Sequence, residues 1–311
     1  MKKRVDVVCL GILVADVIAR PVAKLPPAGT LTLLEEISLH GGGCALNTAT
    51  GLVRLGLHAA AVGKVGADVF GEFLLGLLAE RGVDATGVIR DDAVPTSSTV
   101  VLVDADGERT FLHLPGANGA VRVEELDRDL VFGGRALHVA GALVMPMLDG
   151  APTAELLAAA RERGILTSLD TVWDASGRWE RVLPALPHLD LFTASLSEAR
   201  AISGKADADG AAAWLLSGGV QRVALKLGAK GCYVAEEGLA EHVPAPRIVP
   251  LDGTGAGDAF AAALLYALLA GWPLARAARL ANAAGALATT SIGASDGVRG
   301  LDETMQLAAL A

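Results

Sequence analysis

Cysteine is scarce in this chain. Cys9, Cys44 and Cys232 stand far apart and form no Cys-x-x-Cys pair, so neither a disulfide framework nor a zinc site is indicated, and a reducing cytoplasm is the expected setting. Aromatic residues make up only 4%, with Tyr233 and Tyr266 the sole tyrosines, which leaves little surface for stacking on bases. Positive charge is also short: 26 Lys and Arg face 35 Asp and Glu, for a net charge of -9. Binding along a phosphate backbone needs a basic face, so no nucleic-acid partner is expected. No apolar run approaches the roughly 20 residues that a membrane-spanning helix needs, so no membrane association is expected. The run from Val5 to Leu13 is interrupted by Asp6 and followed by Asp16, which a secretion signal would avoid. It reads as a buried first strand. Gly-Lys-Ser and Gly-Lys-Thr do not occur, which excludes a Walker phosphate loop.

What is present is apolar material in quantity, 52% of 311 residues, enough for a large core. The length suits two domains of about 150 residues or one large α/β domain. From Ala136 onward short apolar runs alternate with amphipathic ones. Strands are expected at 137–140, 165–169, 189–192 and 223–227, and helices at 153–163, 197–203 and 209–217. That alternation predicts an α/β fold with a doubly wound, mostly parallel sheet flanked by helices. Asp16 and Asp170 follow two of the strands, at the edge where ligands of open α/β sheets collect. Two segments break the pattern. Residues 20–40 hold Pro21, Pro26 and Pro27 and then partly alternate, whereas 96–104 and 108–114 flank the hairpin signal Ala105-Asp-Gly107. They predict a small β lid of residues 16–40 and 95–115 beside a main domain of 1–15, 41–94 and 116–311.

The densest chemical signal is Asp252-Gly-Thr254-Gly255-Ala256-Gly257-Asp258, which runs directly into an alanine- and leucine-rich helix. Glycines let the backbone turn sharply and bring its N–H groups close to a ligand. The unsatisfied amides and positive dipole at a helix start suit a phosphate. Asp258 in that first turn either caps the helix or takes a proton. Gly41-Gly42-Gly43 leads into a second helix carrying Asn47, whose amide offers a donor and an acceptor to hydroxyls, or a plain cap.

These two stretches resemble the paired signatures of the ribokinase-like (PfkB) carbohydrate kinases, in the same order along the chain, and the resemblance extends over nearly all of it. It implies ATP-dependent phosphorylation of a hydroxymethyl group on a small sugar or related polyol. Asp258 would be the catalytic base, and the amides of Gly255, Ala256 and Gly257 the anion hole. Asp16, Gly42, Gly43, Asn47 and Asn118 would hold the substrate. Lys226-Leu-Gly228-Ala-Lys-Gly231 resembles the family's nucleotide loop, and Asn282 matches its position beside the adenine, so Ser195, Lys226, Gly228, Gly231 and Asn282 are expected to bind ATP. Ser195 and Glu198 match an Asn-x-x-Glu motif in which the glutamate holds Mg2+ through water. Ser195 replaces the usual asparagine, and the pair also reads as a capping box. Asp252 and Thr254 would border a monovalent cation, K+, although Gly297 stands where serine is frequent. A nucleoside kinase of the same fold and a non-catalytic sugar- or nucleotide-sensing protein remain as alternatives. The lid's exposed edge suits a homodimer.

Overall fold

A computed structural model describes residues 5–291, 293, 294 and 297–310. The strands are β1 Val7–Gly11, β2 Val14–Arg20, β3 Glu36–Gly42, β4 Ala59–Gly66, β5 Asp84–Asp91, β6 Ser98–Val103, β7 Arg109–Leu114, β8 Ala136–Ala142, β9 Leu166–Thr171, β10 Leu191–Ser195, β11 Arg222–Lys226, β12 Cys232–Glu236 and β13 Leu239–Val243. The α-helices are α1 Cys44–Arg54, α2 Val69–Glu80, α3 Arg128–Val131, α4 Ala151–Glu162, α5 Leu196–Ser203, α6 Ala208–Ser217, α7 Ala256–Leu269, α8 Leu274–Ala288 and α9 Leu301–Leu307.

Nine strands form one sheet in the order β13-β12-β11-β10-β9-β8-β1-β4-β5. From β11 to β5 every pairing is parallel, and the hairpin β12–β13 closes one edge antiparallel. The doubly wound α/β sheet is therefore present as expected. β1 and β8 are buried at every residue, which is why their sequences are continuous apolar runs instead of alternating ones. The chain leaves β1 toward β4 on one side and toward β8 on the other. This reversal is the topological switch point, and a crevice opens there beyond the strands' carboxyl ends. Helices cover both faces and build two cores, one led by α1, α7 and α8 and the other by α4, α6 and β8.

A second sheet of four strands has the order β3-β2-β6-β7. It is entered directly from β1, so Asp16 lies within β2, opposite His40 of β3 and Thr99 of β6, and not at the end of a main-sheet strand. The sequence led us to expect alternation from Leu31, but β3 begins only at Glu36. Leu31 and Leu33 are exposed and have no core to bury against. The strand at 84–91, the edge hairpin β12–β13 and α9 escaped the periodicity reading. Asp84–Asp91 mixes charged, glycine and β-branched residues without a clean period of two.

Candidate active site

Helix α7 begins at Ala256, with Gly255 as its N-cap residue and no side chain capping it. The backbone of Gly255 is left-handed, at φ 76°, and a Cβ there would fall 1.6 Å from the carbonyl oxygen of Ala294. Only glycine fits. Among the described residues the amides of Gly255 and Gly257 donate to no protein acceptor, and that of Ala256 makes one long bond of 3.4 Å to Gly253 O. Two N–H groups at the positive end of a 14-residue helix thus remain available to an anion, and a third is only loosely held.

Asp258 does not cap this helix. It is buried, at 8% exposure, and its Oδ2 accepts a 2.8 Å hydrogen bond from Asn47 Nδ2 on α1. Burial pushes its carboxyl above the usual range. The Asn47 bond pulls it down, the nearby Asp170 carboxylate pushes it up, and Lys226 and the Cys44 thiol draw it down again. Asn47 Oδ1 is buried and has no partner among the described residues. The helix α1 start that delivers Asn47 depends on Gly42 and Gly43. A Cβ on Gly42 would lie 2.2 Å from Asp16 Oδ2, and one on Gly43 would lie 2.4 Å from Ile12 O. The glycine pair therefore makes room for the Asp16 carboxylate and for a left-handed turn.

Two cavities lie on either side of the turn 252–257. One, of about 640 Å³, is lined by Lys226, Gly228, Gly231, Gly253, Ala256, Gly257 and Asn282, with Pro246, Ile248 and Ala286 as apolar walls. Four residues expected to bind ATP, Lys226, Gly228, Gly231 and Asn282, thus converge with the helix start from separate parts of the chain, whereas Ser195 does not line this cavity. Asn282 Nδ2 donates to Val243 O and Pro244 O, which pins the segment after β13 against α8. The other cavity, about 270 Å³, lies between the four-stranded sheet and the turn, lined by Asp16, His40, Thr99, Arg109, Phe111, Asp252 and Thr254. Burial pushes the Asp16 carboxyl up to about 6, with Thr99 opposing.

Lys226 Nζ sits over both oxygens of Asp170, at 2.6 and 2.8 Å, beside Gly257. Burial alone would lower its pKa, but Asp170, Glu198 and Asp258 raise it, so it stays a cation. Ser195 and Glu198 form the capping box of α5: Ser195 N donates to Glu198 Oε2 at 2.8 Å, and Ser195 Oγ accepts from Glu198 N. Thr171 Oγ1 donates to the same Oε2. Both bonds fall on one oxygen, and Mg2+ keeps most of its waters, so this buried glutamate fits a water-mediated metal role as well as a cap. Among the described residues no cluster of three or more His, Cys, Asp or Glu is arranged to hold a metal directly.

Of the expected site residues, Gly42, Gly43, Asn47, Asn118, Ser195, Glu198, Gly255 and Asp258 line neither cavity, and Asn118 is the one whose side chain is committed to the backbone on both sides. Asn118 is buried, its Nδ2 donating to Leu13 O at 2.9 Å and its Oδ1 accepting from Leu13 N at 3.0 Å. The amide is spent on holding the connection between β1 and β2. Arg109 and Cys44 were not anticipated. No local pattern marks an arginine after a hairpin turn, and Cys44 was weighed only for disulfide or metal pairing. The monovalent-cation segment can be followed at Gly293, Ala294 and Gly297, while Ile292, Ser295 and Asp296 lie outside the described residues.

An open helix start between two cavities, with a buried acid beside it and a paired lysine over it, defines a phosphotransferase. The chain belongs to the pfkB family of carbohydrate kinases, whose model matches residues 4–299. It is 34% identical over 292 residues to a fructokinase of Klebsiella pneumoniae, covering 89% of this chain and 94% of that protein. Its fold matches the Arabidopsis thaliana ribokinase complexed with ribose and ATP at TM-score 0.87, with 23% identity, over 99% of this chain and 100% of that one. An Escherichia coli chain described as ribokinase II, in complex with ATP and Mg2+, matches at TM-score 0.86, with 23% identity and the same coverage. Among the described residues no helix is long and apolar enough to cross a membrane.

Proposed function

We propose that this sugar kinase transfers the terminal phosphoryl group of ATP to a hydroxymethyl group of a small sugar or related polyol. The observation that carries the reading is the uncapped start of α7, with the buried Asp258 in its first turn, on a turn that borders one cavity of nucleotide size and one of sugar size. ATP lies along Lys226, Gly228, Gly231 and Asn282. The acceptor lies under the four-stranded sheet, held by Asp16 and by Asn47, whose Oδ1 awaits a hydroxyl donor. Asp258 orients the acceptor hydroxyl and takes its proton as the new O–P bond forms and the bond to the leaving ADP oxygen breaks. Such transition states are loose, so alignment and charge stabilisation carry most of the rate. The amides of Gly255, Ala256 and Gly257, with Lys226, offset the charge on the moving phosphoryl group. Glu198 would hold Mg2+ through water, and the metal would supply neutralisation of phosphate charge.

Residues 16–40 and 95–115 act as the lid. Its outer face exposes Ile37, Leu39, Val100, Leu112 and Leu114, an apolar surface that suits a second copy of the chain. The three unpaired cysteines suit a reducing cytoplasm. Measuring ADP release over a panel of sugars, sugar acids and nucleosides tests the assignment. Turnover restricted to nucleosides would move it to a nucleoside kinase, and binding without turnover would make the chain a sensor.

A further inference from the structure

Asp252 accepts four hydrogen bonds, three of them on one oxygen. Oδ1 accepts from Thr254 N at 2.9 Å, from Thr254 Oγ1 at 2.7 Å and from Arg109 Nη1 at 2.5 Å, while Oδ2 accepts from Gly293 N at 3.1 Å. Arg109 Nη1 also bonds Thr254 Oγ1. Each carboxylate oxygen offers about two lone-pair directions, so Oδ1 is filled. A monovalent cation at Oδ1 would have to displace one of its three donors, and the donor carrying positive charge is Arg109. The side chain of Asp252 is only 12% exposed and that of Arg109 31%, so the pair is shielded enough from water to hold its geometry.

The two partners come from different parts of the fold. Arg109 opens β7, paired with Val103 across the hairpin of the four-stranded sheet, and Asp252 begins the turn that ends at the uncapped start of α7. Asp252 in turn anchors that turn to the following loop through Gly293, next to the Ala294 carbonyl on which Gly255 packs.

We propose that Arg109 is a positioning residue for the anion hole: its guanidinium holds the turn 252–255 in register and supplies there the charge otherwise brought by a monovalent cation. The anion hole is then fully formed only while the four-stranded sheet is down over the acceptor cavity, and phosphoryl transfer needs no added K+. Arginine suits the task because its planar fork reaches a carboxylate and a hydroxyl together, which a compact lysine ammonium does less well.

Two measurements test this. The first is amide exchange at Thr254 and Gly293, the two backbone donors to Asp252, in the wild-type chain and in Arg109→Gln, without substrate. Exchange in the variant is expected to be about tenfold faster or more at both sites, with unchanged protection in β1 and β8. Equal rates in the two proteins overturn the proposal. The second is turnover in KCl, NaCl and choline chloride at one ionic strength. The wild type is expected to vary by less than about twofold, whereas Arg109→Gln loses about tenfold or more in kcat with the KM for ATP within about threefold. Strong activation of the wild type by K+, or undiminished kcat in the variant, also overturns it. Only the kinetic measurement rests on the kinase reading. Should no acceptor be phosphorylated, that reading fails while amide exchange still decides the role of Arg109. The variant is expected to fold, since every residue of β7 is exposed, and its Tm checks this.

Discussion

Asn47 Nδ2 lies 2.8 Å from Asp258 Oδ2, joining the first helix of the chain to the seventh. The bond commits Oδ2, and in the proposed mechanism the carboxylate also meets the acceptor hydroxyl. Asp258→Asn keeps the shape and removes the base. Its kcat is expected to fall about 10²-fold or more, with the affinities for ATP and acceptor within a few-fold. Steady-state kinetics with separate equilibrium binding checks the split, and near-normal turnover would remove Asp258 from the mechanism.

The pH dependence follows from the same burial. In the proposed mechanism Asp258 serves as a base only when ionised, and its carboxyl is held above the ordinary range first by burial. The acid limb of kcat/KM is therefore expected at a higher pH than an exposed aspartate would give, with activity lost as pH falls through it. A limb at or below pH 4 would contradict the buried geometry.

Asp16, proposed to hold the acceptor, carries a cost in stability at neutral pH. Its folded pKa is raised to about 6 by burial, above its unfolded value. The folded state then binds the proton more tightly, so this group's contribution is most favourable below the unfolded pKa and declines as pH rises through about 6. Asp16→Asn is expected to raise stability at pH 7.5 by ~1–3 kcal/mol, to show little gain near pH 3.5, and to weaken acceptor binding. Thermal melts at the two pH values, with acceptor titrations, provide the check.

Lys226 and Asp170 are a buried pair, with side chains 18% and 4% exposed. Lys226→Met strands the Asp170 carboxylate and is expected to cost ~3–5 kcal/mol in denaturant melts. Adding Asp170→Asn should restore most of that stability without restoring turnover. If the double variant recovered activity as well, the lysine would be structural only.

Gly255→Ala meets both a left-handed backbone and the Ala294 carbonyl. We expect a stability loss of ~1–3 kcal/mol from the conformation alone and a kcat loss larger than the change in the KM for ATP. A variant with unchanged kcat would mean that the turn tolerates a shift the reaction does not notice.

Much of this protein was legible in one dimension because the informative features are local. Continuous apolar runs announce strands buried on both faces, as in β1 and β8, and a glycine-rich turn running into alanine and leucine announces an open helix start at Ala256. Edge elements such as β5 and the β12–β13 hairpin were not legible, since half-exposed strands need no regular pattern. Chain order alone thus determined the α/β class, the two glycine turns and the acid of α7. The tertiary structure decided the partners. It set Asn47 on Asp258, Lys226 on Asp170, Arg109 on Asp252, and Asn118 on the backbone of Leu13. In each pair the contact is an electrostatic bond between residues more than fifty positions apart. Strength at such a contact depends on distance and burial, and only the folded packing sets those.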